Sequence, residues 1–128
     1  MKKILSLALA LALTMTCLVF TACVPKKPEK AVEKLEKAEY FIATNYTTEV
    51  ALDGKGATLG LEKGSLEGFI RATNGGAYVE IFYCADRASA KALEENLDDL
   101  YDDVDGVEVK RSGKVVYYGT EQGIKAID

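Results

Sequence analysis

Histidine is missing from this 128-residue chain. Its absence excludes Ser-His-Asp and Cys-His nucleophilic arrangements, imidazole acid-base catalysis and most catalytic zinc sites. Carboxylate pairs, a Ser-Lys pair or a lone thiol are the catalytic options left. Cysteine is scarce, at Cys17, Cys23 and Cys84 only, and the two prolines, Pro25 and Pro28, sit close together. No apolar run is long enough for a permanent membrane span. The longest, "ILSLALALALTMTCLVF", has 17 residues, about 26 Å as a helix against about 30 Å of hydrocarbon.

Lys2 and Lys3 ahead of that run mark residues 1–22 as a targeting leader, to be set aside before any fold reasoning. Ordinary secretory cleavage wants small residues at the third and first positions before the cut, and Phe20 is too large. The residues "VFTAC", 19–23, resemble the lipobox of bacterial prolipoproteins, usually Leu, then Ala or Ser, then Gly or Ala, then Cys. Ala22 and Cys23 match and Thr21 is an acceptable substitute, while Phe20 stands where the family usually has Leu. The resemblance implies cleavage before Cys23 by the lipoprotein signal peptidase and a diacylglyceryl thioether on Cys23. The partner is then the cell membrane, on its extracytoplasmic face. Two acyl chains hold a soluble domain stably where one gives only marginal binding. The competing reading is a secreted or signal-anchored chain without lipid.

Cleavage leaves 106 residues, one domain's worth. Lys2 and Lys3 depart, so 14 basic residues face 20 acidic ones, a formal balance of −6. That is the wrong sign for sequence-independent binding to nucleic acid. Cys17 leaves with the leader and Cys23 carries lipid, so Cys84 has no disulfide partner and stability must come from packing. "VPKKP", 24–28, reads as a tether: residues 23–28 are the lipidated cysteine and spacer, and 29–128 form a single domain.

Within the domain, Val32, Leu35, Ala38 and Ile42 recur at helical spacing, predicting a helix over 29–43. Residues 46–52 alternate with period two and predict a half-buried strand. "DGKGATLGLEKGS" predicts a flexible connection, its glycines matching neither the P-loop nor the dinucleotide fingerprint. Asn74, Gly75 and Gly76 mark a tight hairpin. With Gly75 and Gly76 as its loop, Ala72 faces Val79 and Ile70 faces Ile81, while Arg71 faces Glu80 and Phe69 faces Phe82 on the other side. With Asn74 and Gly75 as the loop instead, the partners shift by two and each residue keeps its face.

Asp86 is an N-cap for a second helix with a stripe of Ala90, Leu93, Leu97, Leu100 and Val104. A second hairpin, 107–111 with 114–118, turns at Ser112 and Gly113 and pairs Val109 with Val116 and Val107 with Tyr118. Gly119 is expected to break that strand, and Thr120 to cap a short final helix through Ile124 and Ile127. The order α-β-β-β-α-β-β plus that helix predicts a two-layer α+β domain. An antiparallel sheet of about five strands carries two helices on one face. The tail "KVVYYGTEQGIKAID" is similar to the closing segment of small, functionally unassigned lipoproteins of Gram-positive bacteria, and implies no activity.

Three constellations bear on function. The acidic run Glu94, Glu95, Asp98, Asp99, Asp102, Asp103 and Asp105 resembles part of an EF-hand loop. The alignment, however, puts Tyr101 and Ser112 at the first and twelfth ligand positions, so no metal site is expected. The sheet face away from the helices is expected to expose Phe69, Arg71, Tyr78, Glu80, Phe82 and Tyr117, with Lys110 and Val115. Aromatics mixed with paired charges suit recognition of an envelope protein or a glycan. Cys84 has only Arg87 near it to stabilise a thiolate, which predicts an inert buried thiol. No cofactor and no catalytic residue is expected, and the reading is a binding or structural module rather than an enzyme. The competing class is a small carboxylate-based hydrolase.

Overall fold

The computed structural model describes residues 24–128. The expected leader and lipid attachment at Cys23 lie outside them. Helix α1 (Pro28–Lys37) starts with Pro28 in its first turn and buries Ala31 and Leu35. The missing proline N–H costs nothing at that position. Glu39, at φ 67°, turns the chain out of the helix, and strand β1 (Phe41–Tyr46) comes next. The helix expected over 29–43 therefore stops early. The residues "YFIATN" alternate buried-side and exposed positions as well as they continue a helix, and pairing with the sheet decides between the two.

The expectations for residues 46–64 are corrected as well. Residues 46–52 do not form a strand, and only the second part of the glycine-rich stretch is a connection: helix α2 (Glu49–Thr58) takes the first part, and residues 59–65, with Gly60 and Gly64 at positive φ, link it to the next strand. Thr48 caps it, its Oγ1 accepting from the Ala51 N–H at 3.3 Å. Gly56 lies where an added Cβ would meet Leu61 and Leu66 side chains at 3.6 and 3.7 Å, so the glycine lets the helix settle against them.

Strands β2 (Leu66–Asn74) and β3 (Ala77–Cys84) form the expected hairpin. Ala72 pairs with Val79, Ile70 with Ile81, Arg71 with Glu80 and Phe69 with Phe82, around a Gly75-Gly76 loop. Helix α3 (Arg87–Tyr101) is capped by Asp86, whose Oδ1 accepts from the Ser89 N–H at 2.7 Å. That bond holds the Asp86 carboxyl below its ordinary value. Ala90, Leu93 and Leu97 are buried, whereas Leu100 is exposed, and Val104, also exposed, lies beyond the end of the helix at Tyr101.

Strands β4 (Val107–Ser112) and β5 (Val115–Thr120) pair two residues away from the expected register: Val109 meets Tyr118 and Val107 meets Thr120. The loop is Gly113-Lys114, with Gly113 at φ 62°, matching Gly75 at the same position of the first hairpin. A two-residue hairpin favours positive φ at its first loop position, and glycine supplies it there in both. Gly119 does not break β5. It continues the strand and pairs with Val79. Helix α4 (Glu121–Ile127) closes the fold, with Thr120 Oγ1 accepting from the Gly123 N–H at 3.1 Å.

The result is a small α+β fold whose five strands form one antiparallel sheet in the order β1-β2-β3-β5-β4. The helices cover both faces rather than one. Helices α1 and α4 pack Ala31, Leu35, Ile124 and Ile127 onto Ile70, Val79, Ile81 and Tyr117. Helices α2 and α3 pack Leu52, Ala90, Leu93 and Leu97 onto Phe69, Phe82, Val116 and Tyr118. Each large side chain removed from water in this way contributes about 1.5–3 kcal/mol. The sheet is sandwiched because α1 and α3 themselves lie on opposite faces, with α4 joining the first and α2 the second.

Candidate functional site

The expected open recognition face does not exist as such. Phe69, Glu80 and Phe82 are buried beneath the α2/α3 layer, and Arg71 and Tyr78 are half-buried at its margin. Tyr117 is on the opposite face: it pairs with Ile81, is buried against α4, and donates its hydroxyl to Asp128 Oδ1 at 3.2 Å. Val115 shares that face, while Lys110, beside Tyr117 on the edge strand, reaches Asp128 Oδ2 at 3.7 Å.

Beneath α2 and α3 the aromatics form a row. Tyr46, Phe69 and Phe82 are spaced 5.6 and 4.9 Å between ring centroids, and Tyr118 lies 6.2 Å beyond Phe82. Tyr101 of α3 stacks on Tyr118 at 4.7 Å and donates its hydroxyl to the Tyr118 hydroxyl at 3.1 Å. At the margin, Arg71 pairs with Glu80 and its guanidinium sits 5.0 Å over the Tyr78 ring. Glu80 is 94 % buried, and its Oε1 meets no donor among the described residues. Burial, the Tyr101 hydrogen bond and the Glu80 charge all push the Tyr118 phenol up. The Phe69, Phe82 and Tyr118 rings are enclosed by packing and tie sheet to helix, while Arg71 and Tyr46 remain partly exposed at the edge of the cluster.

The concave feature lies elsewhere. A groove of about 590 Å³ opens at the end of the sheet where the chain enters the domain. Its size falls within the range of small-molecule sites. Lys26, Glu29, Glu67, Arg87 and Lys114 line it, and Cys84, Tyr83 and Val115 contribute buried side chains to its lining. None of those five charged residues makes an ion pair among the described residues. Burial, then the Asp86 and Glu67 charges, push the Cys84 thiol up to about 12. Deprotonation of the thiol is therefore disfavoured at neutral pH, which argues against a reactive cysteine in the groove.

One wall of the groove is the segment expected to be a free tether. Val24 is 2 % exposed and packs into the α1/α4 core. Tyr83 donates its hydroxyl to the Pro25 carbonyl at 2.8 Å, and Pro28 packs onto Gly68, whose added Cβ would sit 3.0 Å from the proline ring. The groove was missed in the sequence because its residues carry no shared motif. Pairing of β3 with β2 and β5 brings Glu67, Cys84 and Lys114 to one edge, and only then do α1 and α3 add Glu29 and Arg87.

The acidic residues Asp98, Asp99, Asp102, Asp103 and Asp105 lie at or just beyond the far end of α3, away from the groove. Burial, then Glu94, Asp99 and Asp102, raise the Asp98 carboxyl above its ordinary value. Among the described residues no group of three or more acidic or thiol side chains is arranged to hold a metal ion. None of their helices is long and apolar enough to cross a membrane. No family model matches the chain, and no curated protein or solved structure matches it.

Proposed function

We propose that this chain is a lipid-anchored, extracytoplasmic binding module of a bacterial cell envelope, held by a diacylglyceryl group on Cys23 and engaging its partner through the charged groove. The observation that carries the reading is the burial of Val24. Val24, next to the expected lipid-bearing Cys23, packs into the α1/α4 core, so an anchor on Cys23 would hold the domain with no slack tether between them. A groove with five charged residues, none in an ion pair among the described residues, lies beside that point and gives the module a place to bind. In a wider assembly the same groove would serve an accessory subunit of a transport or wall complex.

A second reading has one observation in its favour: Glu29 and Glu67 both line the groove, as a carboxylate hydrolase requires. Both are exposed, however, and a carboxylate general acid needs a low-dielectric wall to hold its proton. Affinity capture from membranes, with the native chain beside Cys23→Ala, tests the leading reading. The native chain is expected in the membrane fraction with an acylated N-terminal peptide by mass spectrometry, and the variant in neither state. A bare Cys23 thiol, or an intact leader on the native chain, would overturn it. Loss of a measured hydrolysis in Glu29→Gln and Glu67→Gln would favour the enzyme.

A further inference from the structure

The segment after Cys23 is not slack. Val24 is buried, Pro25 accepts from Tyr83, and Pro28 begins α1. A lipid on Cys23 would therefore hold the domain by one edge, and that edge is the groove. Lys26 is three residues from Cys23, at most about 11 Å along the chain. The polar layer of one leaflet is about 5–8 Å deep, so the groove rim falls within reach of the headgroups.

Charge points the same way. The domain has a formal balance of −6, yet three of the five charged residues in the groove lining are the cations Lys26, Arg87 and Lys114. Lys27 adds a fourth positive charge beside them. Helix α3 starts at the groove with Arg87 and runs for 15 residues to the acidic end, a separation of roughly 22 Å. The carboxylates Glu29, Glu67 and the adjacent Asp86 offset three of these four cations, so the entry end is close to neutral whereas the opposite end is strongly negative. An anionic surface repels the acidic end far more than the entry end, within a Debye length of about 8 Å at physiological salt.

We propose that the groove receives the headgroup phosphate of an anionic phospholipid in the bilayer that carries the chain. Lys26, Arg87 and Lys114 bind the phosphate, and the domain stands with its acidic end outward. This rests on the lipid-anchor reading and adds orientation and a ligand to it. Cys84 and Tyr83 line the groove as neutral groups, so Glu29 and Glu67 are the carboxylates the three cations must outweigh there. Arg87 presents paired N–H donors suited to phosphate oxygens.

The test uses protein purified with its anchor and reconstituted into vesicles of phosphatidylcholine alone or with roughly one quarter phosphatidylglycerol. Amide deuterium exchange of residues 24–28, 83–87 and 112–115 is followed in each. Protection is expected only with phosphatidylglycerol, is expected to fall at high salt, and is expected to vanish in Arg87→Gln/Lys114→Gln. Both positions are exposed, so the fold should survive. Equal exchange in the two lipids would overturn the docking. So would equal protection by soluble glycerol phosphate over phosphatidylcholine, which would make the ligand a free phosphate. Intact mass of the same sample reads acylation separately. If Cys23 is bare, the anchor reading fails alone, and the protein is sedimented with the same vesicles. Preference for phosphatidylglycerol, weakened at least about tenfold by the double variant, would sustain the groove's role, and no preference would end it.

Discussion

Glu80 shows how one position can read correctly in the sequence and still be misplaced. Its partner, Arg71, comes from hairpin arithmetic, and the pair forms as expected. Its burial does not, because an ion pair on a strand looks the same under a helix as in water. Breaking a buried pair leaves a charge with no compensation, whereas replacing both partners with apolar residues is often tolerated. Arg71 is about one-third exposed, which moderates the effect. Arg71→Leu is expected to cost about 3 kcal/mol, and Arg71→Met with Glu80→Leu to recover most of it. Urea unfolding of the parent, single and double variants checks both steps.

Among the elements, the two hairpins, though not the register of the second, and the caps at Asp86 and Thr120 were legible because each depends on residues within a few positions of one another. Helix α2 was not. Thr48 and Glu49 carry a helix start, but Gly54 and Gly56 disguise its later turns as a loop, and only packing against Leu61 and Leu66 explains the second glycine. The glycines of α2 and α4 make opposite predictions. A Cβ on Gly123 would lie 2.0 Å from the Tyr78 carbonyl oxygen, where α4 closes on β3, while at Gly54 it would meet nothing within 4 Å. Gly123→Ala should destabilise near the upper end of the roughly 1–3 kcal/mol typical of overpacking. Gly54→Ala should stabilise by about 0.5–1 kcal/mol through helix propensity alone. Thermal unfolding of the two variants should shift in opposite directions.

At the scale of the whole molecule, the sheet has helices on both faces and charge separated along its length. The acidic end opposes the α3 dipole, and no basic residue occupies the last turn of that helix. Asp98 has its folded value raised above the ordinary 3.8. Its stabilising contribution is thus fully present below 3.8 and lost as pH rises through the raised value. Asp98→Asn is expected to be more stable than the parent at pH 7, by only about 0.3 kcal/mol because the site is exposed. The difference should close below the ordinary carboxyl value. Thermal unfolding at acid and neutral pH, at low salt, measures it.

The sequence alone settled what nearest neighbours and simple period decide: the α+β class, which β2 and β3 residues share a face, the helix starts at Asp86 and Thr120, and the lack of imidazole chemistry. Tertiary structure alone decided which faces are covered, where Tyr117 points, and that Lys26, Glu67, Arg87 and Lys114 meet around one groove. A strand's two-residue period records that its faces differ but not what lies over either one, and when helices cover both, each face reads as apolar. Residues nearly ninety positions apart come together only through the pairing of β3 with β2 and β5, a long-range choice that no local pattern encodes.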